Sequence, residues 1–177
     1  EQVSDTIDVE ILVVEDSEDI DGIAKSILEI GEFLEVEDDA EELAEEFLAR
    51  VDTLTFESER DAEVMVFVSL QPEIYTVGDE TFISSALEVL GLENSFNDIE
   101  GYPSVSKEDI LVKNPRYAIN ITGMDDMEFE DAVLDLNLSN LDINEASQQC
   151  TVDPDLLARP GVRVVEGIEA VRSCIDE

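Results

Sequence analysis

The side chains that could do chemistry in this chain are of few kinds, because it contains no histidine and 47 of its residues are Asp or Glu. The absence of His removes imidazole acid–base catalysis, Ser–His nucleophile pairs and most zinc sites. Carboxylates are so frequent that spacing alone singles out no catalytic pair. No Ser lies in a GxSxG pattern, and no Gly-rich phosphate loop is present. The sequence therefore predicts no catalytic residue and no metal site, and it indicates a protein that is not an enzyme.

The two cysteines, Cys150 and Cys174, are far apart in the sequence and have no metal-ligand spacing. In an exported protein they could form a disulfide, but the sequence does not supply the geometry that a disulfide needs. They could equally be buried free thiols. Both possibilities stay open at the level of the sequence.

The charge balance is strongly acidic: 47 Asp and Glu stand against 9 Lys and Arg, which gives a formal net charge of −38. Such a charge destabilises a compact chain at low ionic strength, whereas at molar salt the Debye length of about 3 Å screens most of the repulsion. Because the acids are spread over the whole chain, we interpret them as an adaptation to very high salt; an acidic face for a basic partner is the alternative. The lack of a basic stripe argues against nucleic acid as a partner.

Short apolar runs alternate with amphipathic helical patterns along the chain. The runs predict strands at 9–14, 64–70, 117–122 and 148–152. The helical patterns predict helices at 17–30 (with Ser17 as N-cap and Gly31 as C-cap), 38–54, 81–90 and 126–136, and a last helix with Pro160 in its first turn. This order predicts an α/β fold: a parallel-type sheet flanked by helices, as in a Rossmann-like lobe.

The stretch GYPSVSKEDILVKNPRYAINITG, residues 101–123, positions two side chains of interest. Ser106 is a good N-cap and Asp109 can complete a capping box, so a short helix is expected to follow. Asn114 and the proline after it should end that helix, because a residue before proline is disfavoured in the α region. The loop aromatic Tyr102 and the first-turn carboxylate Glu108 are thus expected to be held by rigid elements.

The segment ILVVEDSED, residues 11–19, resembles the opening of a response-regulator receiver, in which two acids after the first strand bind magnesium. Glu15 and Asp16 would be those acids. Asp52 lies at about the distance of the phosphorylated aspartate, but on a predicted helix, and Lys107 is not followed by proline. These two departures argue against a receiver. An acidic α/β signalling or interaction module, receiver-like in kind, is kept as the alternative function.

Three segments together resemble the C-terminal lobe of ABC-transporter solute-binding proteins for cobalamin, ferric siderophores and haem. They are YTVGDETFISSALEVLGLENSF, YPSVSKEDILVKNPRYAINITG and VDPDLLARPGVRVVEGIEAV, and the resemblance covers roughly residues 63–176. It implies three parts, with the body of the N-terminal lobe absent: 1–37 as the tail of that lobe, 38–57 as the helix that bridges the lobes, and 58–177 as the C-terminal α/β lobe. How the strand at 9–14 would be paired without its lobe stays open.

The resemblance also implies roles for four residues at positions that match the family's motifs. Glu108, the glutamate of the V-S-x-E motif, is expected to dock on a basic pocket of a membrane permease. Tyr102, before the proline, and Tyr75, on the loop after the first strand of the lobe, are expected to line the ligand cleft. Arg159, beside the closing turn, is expected to contact an anionic group of the ligand. Their chemistry agrees, because carboxylates pair well with Arg and aromatic rings suit flat macrocycles or catechols.

The function that the resemblance implies is the substrate-binding component of an ABC importer. Its ligand would be a metal chelate, either a ferric siderophore or other iron complex or cobalamin, and it would deliver that ligand to the permease. The family works outside the cell or at the cell surface, which implies that the full-length protein is membrane-anchored through a segment lost from this chain. No cofactor of its own is expected.

Overall fold

The computed structural model describes residues 10–15, 17–56, 62–138 and 141–176. Its helices are α1 Ile20–Phe33, α2 Glu37–Leu54, α3 Phe82–Val89, α4 Lys107–Lys113, α5 Asp126–Asp135, α6 Pro154–Leu157 and α7 Val164–Ile175, with 3₁₀ turns at Asp142–Asn144 and Ala146–Gln148. Its strands are β1 Glu63–Ser69, β2 Ile74–Thr76, β3 Glu93–Asn94, β4 Ser104–Val105, β5 Tyr117–Asn120 and β6 Gln149–Thr151. From β1 onward, strands and helices are interspersed along the chain, which confirms the predicted α/β class.

The described strands form one sheet in the order β4-β2-β1-β5-β6, with β3 beside the start of β1. The pairs β1–β5, β5–β6 and β1–β3 are parallel, as the alternation of strands and helices predicts. The sheet is nevertheless mixed, because β2 runs antiparallel to β1 and β4 antiparallel to β2. These two strands have three and two residues, too few to show a periodic pattern in the sequence.

Strand β1 is buried on both faces, as its continuous apolar run predicts. Val64 and Val66 pack into the core that α1, α2, α3 and α7 cover. Met65 and Phe67 point to the opposite face, into the core that α4 and α5 cover. The Phe67 ring meets the Phe129 ring of α5 edge to face at 5.4 Å. The fold is therefore a three-layer α/β/α arrangement, and its sheet leaves mainly its strand ends for other contacts.

The strand predicted at 9–14 is wrong for the residues that the structure describes. Residues 10–15 form no ladder, and Val13 is 77% exposed; Val9 lies outside the described residues. An apolar run becomes a strand only if a neighbouring strand satisfies its backbone groups, and the described chain provides none here. The helix after it begins at Ile20, where Asp19 rather than Ser17 is the N-cap and its Oδ1 accepts from the Gly22 N–H at 2.6 Å.

Gly31 was predicted to end the first helix, but it lies inside α1 and is buried. A Cβ added at Gly31 would overlap the Cβ of Ala40 on α2. The glycine is therefore explained by close helix–helix packing and not by a left-handed cap. The chain reverses at Glu35, whose φ of 56° makes the tight connection to α2.

The prediction of Pro160 in the first turn of the last helix is also wrong, because α7 begins only at Val164. The proline that starts a helix is Pro154, in the short helix α6, where Asp153 is the N-cap. Either proline has the fixed φ that a first turn accepts, but only Pro154 follows a side chain that caps the helix.

The pair α1–α2 has a second apolar face that the described residues leave uncovered. The buried side of α2 consists of Ala40, Ala44, Phe47, Val51 and Leu54. The apolar pattern of the two helices is wider than this stripe, and several of its large side chains are at least 38% exposed: Leu28, Ile30, Phe33, Leu34, Val36, Leu43 and Leu48. The helix pair therefore has more apolar surface than the packing within the described chain buries.

The acidic surface predicts that stability rises with salt. The ion pairs in the described part of the chain are few and at least partly exposed, so they offset little of the net charge of −38. We expect the free energy of unfolding to increase between 0.1 and 2 M KCl, on the order of a few kcal/mol, because screening removes carboxylate repulsion. Urea unfolding at a series of KCl concentrations measures this. Replacing Glu41 and Glu45 on the outer side of α2 by Gln should flatten the slope; a protein equally stable at low salt would contradict the interpretation.

Candidate functional site

Two exposed tyrosines lie on the edge of the sheet that β2 and β4 form beside β1. Tyr75 on β2 is paired with Ser69, the last residue of β1, and on its other side with Ser104 of β4. Tyr102 precedes Ser104 by two residues, so both tyrosines belong to one edge of the sheet. Their side chains are 38% and 51% exposed, respectively. The structure therefore places both predicted tyrosines on one edge of the sheet, Tyr75 level with the carboxyl end of β1 and Tyr102 level with the middle of that strand.

The turn that carries Tyr102 is fixed by backbone hydrogen bonds to the segment after β2. The Gly78 N–H donates to the Gly101 carbonyl at 2.7 Å, and the Gly101 N–H donates to the Asp79 carbonyl at 2.9 Å. The Asp79 N–H donates to the Ile99 carbonyl at 2.7 Å. A Cβ on Gly78 would overlap the Ile99 carbonyl oxygen, so only glycine permits this approach. Gly101 has a φ of 74°, which glycine adopts at little cost.

A buried asparagine that was not predicted from the sequence forms hydrogen bonds to the segment that holds this turn. Asn94 is 4% exposed, and its Nδ2 donates to the Val77 carbonyl at 3.0 Å and to the Gly78 carbonyl at 3.3 Å. Its Oδ1 accepts from the Phe96 N–H at 3.1 Å. These bonds tie the segments after β2 and β3 together. The sequence shows only an Asn after the Gly91 turn. That position by itself does not distinguish a buried side chain that ties two segments together from a surface residue.

The hydroxyl of Tyr75 donates to Oε2 of Glu73 at 3.2 Å. This hydrogen bond, together with the negative charge of Glu73, raises the pKa of Tyr75 above its ordinary value of 10.0. Burial raises the pKa of Tyr102 as well. Both phenols are therefore protonated at neutral pH. They can offer a neutral aromatic face and an O–H donor to a ligand.

The capping box predicted around Ser106 is confirmed. The Ser106 hydroxyl and N–H donate to Oδ2 of Asp109 at 2.7 and 2.9 Å, and the Asp109 N–H donates to the Ser106 hydroxyl at 3.2 Å. The bonds from Ser106, chiefly that from its hydroxyl, lower the pKa of the Asp109 carboxyl. Asp109 is thus occupied within the helix start. Glu108 is exposed, and among the described residues its carboxylate has no hydrogen-bond or ion-pair partner.

Arg159 lies at a distance from the tyrosines. It follows α6, which begins after the carboxyl end of β6, and its Nη2 pairs with Oδ1 of Asp155 at 3.1 Å. Strands β1 and β5 lie between β2 and β6, so with a strand spacing of about 4.8 Å the separation across the sheet is about 14 Å. The structure therefore places Arg159 on the carboxyl-end side of the sheet but not in one cluster with Tyr75 and Tyr102. Only a wide ligand could contact all three residues.

A groove of about 800 Å³, hereafter the edge groove, lies beside the β1–β2 hairpin. Its walls are the segments 70–74 and 104–109 and the residues Ala132, Asp135 and Leu136 at the end of α5. Glu108 lines the edge groove, whereas neither tyrosine nor Arg159 does. The hairpin therefore separates two surfaces, one with the aromatic rings and one with the carboxylate.

The question of the two cysteines is answered by the structure. Cys150 of β6 and Cys174 of α7 form a disulfide with a Cα–Cα distance of 5.8 Å. The bond ties the last helix to the edge strand of the sheet. Among the residues that the structure describes, no group of three or more Asp, Glu and Cys is arranged to hold a metal ion. No helix in the described ranges is both long and apolar enough to span a membrane.

The arrangement required for a receiver is not present in the described residues. Residues 10–15 form no strand that would present Glu15, and Asp16 lies outside the described residues. Asp52 lies on α2, two residues before the end of that helix, and not at a strand end. An α/β sheet with exposed aromatic rings on one edge is instead typical of a module that binds a ligand.

Comparison with known proteins identifies the family of this chain. The family model described as periplasmic binding protein matches residues 4–172, so the chain belongs to the periplasmic binding protein family. It is 27% identical over 172 residues to the uncharacterized ABC transporter substrate-binding lipoprotein YvrC of Bacillus subtilis. That alignment covers 94% of this chain and 54% of the relative, so the chain spans about half the length of the curated relative it matches.

Solved structures agree with this assignment. A possible iron-binding (periplasmic solute-binding) protein from Staphylococcus epidermidis superposes with a TM-score of 0.91 at 31% identity, over 99% of this chain and 69% of that one. The periplasmic haem-binding protein HutB of Vibrio cholerae has a TM-score of 0.85 at 15% identity, over 98% of this chain and 70% of its own. The vitamin B12 binding protein BtuF of Vibrio cholerae has a TM-score of 0.72 at 22% identity, over 92% and 63%. The last two likenesses concern the fold alone.

The close approach at Gly78 gives a prediction with a matched control. Gly78→Ala should reduce the free energy of unfolding by about 1–3 kcal/mol, because the added methyl group overlaps the Ile99 carbonyl and must displace the Tyr102 turn. Gly161→Ala, whose Cβ would meet open space, should change it by less than about 0.5 kcal/mol. Urea unfolding followed by circular dichroism, at one fixed KCl concentration, measures both. Equal changes in the free energy of unfolding for the two substitutions would show that the backbone approach between Gly78 and Ile99 is not tight.

Proposed function

We propose that the full-length protein is the substrate-binding component of an ABC importer and that its ligand is a metal chelate, either a ferric siderophore or other iron complex or a corrinoid. The observation that carries the proposal is the pair of exposed, protonated tyrosines on one sheet edge of a periplasmic binding protein fold. The names of the similar proteins support this ligand class, since they include a possible iron-binding protein and proteins for haem and vitamin B12.

Binding would depend on shape, stacking and hydrogen bonds, and no bond of the ligand would be made or broken. The rings of Tyr75 and Tyr102 would lie against a flat face of the chelate, and their hydroxyl groups would donate hydrogen bonds to its oxygen atoms. Arg159 would reach an anionic group on the far side of the ligand. The distance of about 14 Å across the sheet favours a chelate of macrocycle size, which could contact both ends of this surface.

Glu108 would be the contact with the permease. Its carboxylate is exposed on the first turn of α4 and is not used by the capping box, which Ser106 and Asp109 form between themselves. An exposed carboxylate held on a rigid helix start suits an arginine of a membrane partner. The partner would thus meet the side of the hairpin that faces away from the tyrosines.

The location that we propose is outside the cell or at the cell surface, with a lipid or peptide anchor in the full-length protein. The disulfide between Cys150 and Cys174 supports this, because disulfides persist in oxidising compartments. We further propose the division into 1–37 as the tail of an N-terminal lobe, 38–57 as a bridging helix and 58–177 as a C-terminal lobe. The uncovered apolar face of α1 and α2 would then be buried against the remainder of the full-length protein.

The ligand proposal is tested by titrating the full-length protein with cyanocobalamin, haemin and ferrichrome in molar KCl, with calorimetry as the measurement. One of the three should bind, and Tyr102→Leu should weaken that binding about tenfold, or by about 1.4 kcal/mol, because an aromatic face is lost. Val112→Ala is the control, since Val112 is an exposed apolar side chain on α4 outside the ring surface. Failure of all three probes, or equal affinities of both variants and the parent, would count against the proposal.

The docking proposal is tested by transport. In proteoliposomes that contain the permease and its ATPase, Glu108→Arg should reduce uptake of the bound chelate at least tenfold, because the new cation would face a basic pocket. Ligand affinity of the variant should be unchanged, as Glu108 lies across the hairpin from Tyr102. Lys107→Glu, a charge reversal at the preceding position, serves as the comparison. Normal transport by the Glu108→Arg variant would contradict the docking role of Glu108 but would not bear on the ligand proposal.

A further inference from the structure

The two sulfur atoms of the disulfide are not equally accessible. Cys150, in β6, is 2% exposed and belongs to the core that α1, α2, α3 and α7 cover. Cys174, near the end of α7, is only partly buried and lines a cavity of about 340 Å³. Since a water molecule takes about 30 Å³ in the liquid, this cavity has room for a small thiol. A thiol can therefore approach the disulfide from the side of Cys174.

The cavity at Cys174 is acidic. Asp126 and Glu130, one turn apart on α5, both line it, and the other lining residues are Ala146, Gln149 and Thr151. Within the described part of the chain, neither carboxylate is in an ion pair. The attacking group in thiol–disulfide exchange is a thiolate anion, so both carboxylates oppose its approach. This repulsion increases with the negative charge of the attacking molecule and decreases with salt.

We propose that this cavity, hereafter the thiol pocket, is a thiol-exchange site that admits small thiols and selects against those with an additional negative charge. The thiolate attacks Sγ of Cys174, the bond between the two sulfur atoms breaks, and Cys150 leaves as a thiolate that takes a proton from water. A second thiolate then attacks the mixed disulfide on Cys174. The products are two free cysteines and the small thiol in its disulfide form. The inference goes beyond the proposed function, because it involves neither the chelate nor the permease.

Exchange at the thiol pocket would open a joint of the fold. The disulfide attaches α7 to β6, a strand of three residues at the edge of the described sheet, which pairs with β5. The Thr151 hydroxyl of β6 accepts from Nδ2 of the buried Asn120 at 3.1 Å, so this strand also supports the end of β5. Loss of the cross-link releases the chain between residues 150 and 174 in the unfolded state. The pocket thus makes the attachment of the last helix sensitive to thiols.

The selectivity is tested with three thiols that share a two-carbon frame: 2-aminoethanethiol, 2-mercaptoethanol and 2-mercaptoethanesulfonate. Their thiolates are neutral overall, singly negative and doubly negative, respectively. Reduction of the full-length protein is followed by mass spectrometry of the peptides that contain Cys150 and Cys174. Rate constants are expressed per thiolate and divided by those for 2-hydroxyethyl disulfide, which corrects for nucleophilicity. They should fall in the order given, by at least about tenfold in 0.1 M KCl and about threefold or less in 1 M KCl, where the Debye length is about 3 Å.

A matched pair of double variants separates the pocket from the general charge of the protein. Asp126→Asn with Glu130→Gln should reduce the tenfold range in 0.1 M KCl to about threefold. Asp131→Asn with Glu88→Gln removes the same charge from exposed positions outside the pocket and should leave the range unchanged. An unchanged range in the pocket variant, or an equal decrease in both variants, would overturn the selectivity.

The side of attack is tested independently by trapping the mixed disulfide. After brief exposure to 2-mercaptoethanol and quenching with N-ethylmaleimide, the small thiol should be on Cys174 and the maleimide on Cys150. The reverse assignment, or an equal distribution over the two cysteines, would contradict access through the pocket. So would a folded protein whose disulfide none of the three thiols reduces.

Discussion

Burial of β1 on both faces is the constraint on which the rest of this structure depends. Val64, Met65, Val66 and Phe67 have no exposed surface, and alternate residues enter two different cores. Each core must be closed by helices, so α1, α2, α3 and α7 occupy one face of the sheet and α4 and α5 the other. Because both faces are covered, a ligand or a partner can reach the sheet mainly at its strand ends and edges. The candidate site lies there for that reason.

The edge beside β1 is built by a short hairpin rather than by another parallel strand. Strand β2 returns antiparallel along the carboxyl end of β1, while β3 occupies the same side near the amino end. This arrangement presents Tyr75 at the strand end and passes the chain through the Tyr102 turn to α4. The segment pairing at Gly78 and Gly101 and the buried amide of Asn94 keep that path fixed. One hairpin thereby holds the aromatic surface and the edge groove in a constant relation.

The sequence allowed prediction of the elements that depend on local chemistry or on a long apolar pattern. The strand at 64–70, the helix α2 and the Ser106–Asp109 capping box were all predicted within a residue or two. Elements that depend on tertiary contacts were not predictable in this way. The strands β2 and β4 are too short to show a period, Gly31 is explained by the neighbouring Ala40, and the run at 10–15 has no strand to pair with in the described chain.

The candidate site shows the same division. Tyr102 and Glu108 stood out in the stretch 101–123, and the resemblance of three segments to a family gave them and Tyr75 their expected roles. The structure adds how they are arranged: two rings on one side of a hairpin, a carboxylate on the other. Glu73 was not predicted, because a glutamate among 47 acids carries no signal in the sequence. Its hydrogen bond to Tyr75 and its place in the edge groove are both properties of the fold.

The extreme charge changes which interactions can guide such a protein to a partner. At molar salt the Debye length of about 3 Å removes long-range attraction between the acidic surface and a basic partner. Only contact pairs in a shaped site then discriminate, since carboxylates elsewhere on the surface are screened and exposed. Specific recognition must therefore come from side chains whose geometry the fold fixes, as it does for the Glu73 carboxylate that accepts from the Tyr75 hydroxyl. A chain that is acidic almost everywhere can have a selective acidic site only where the fold fixes the carboxylates in place.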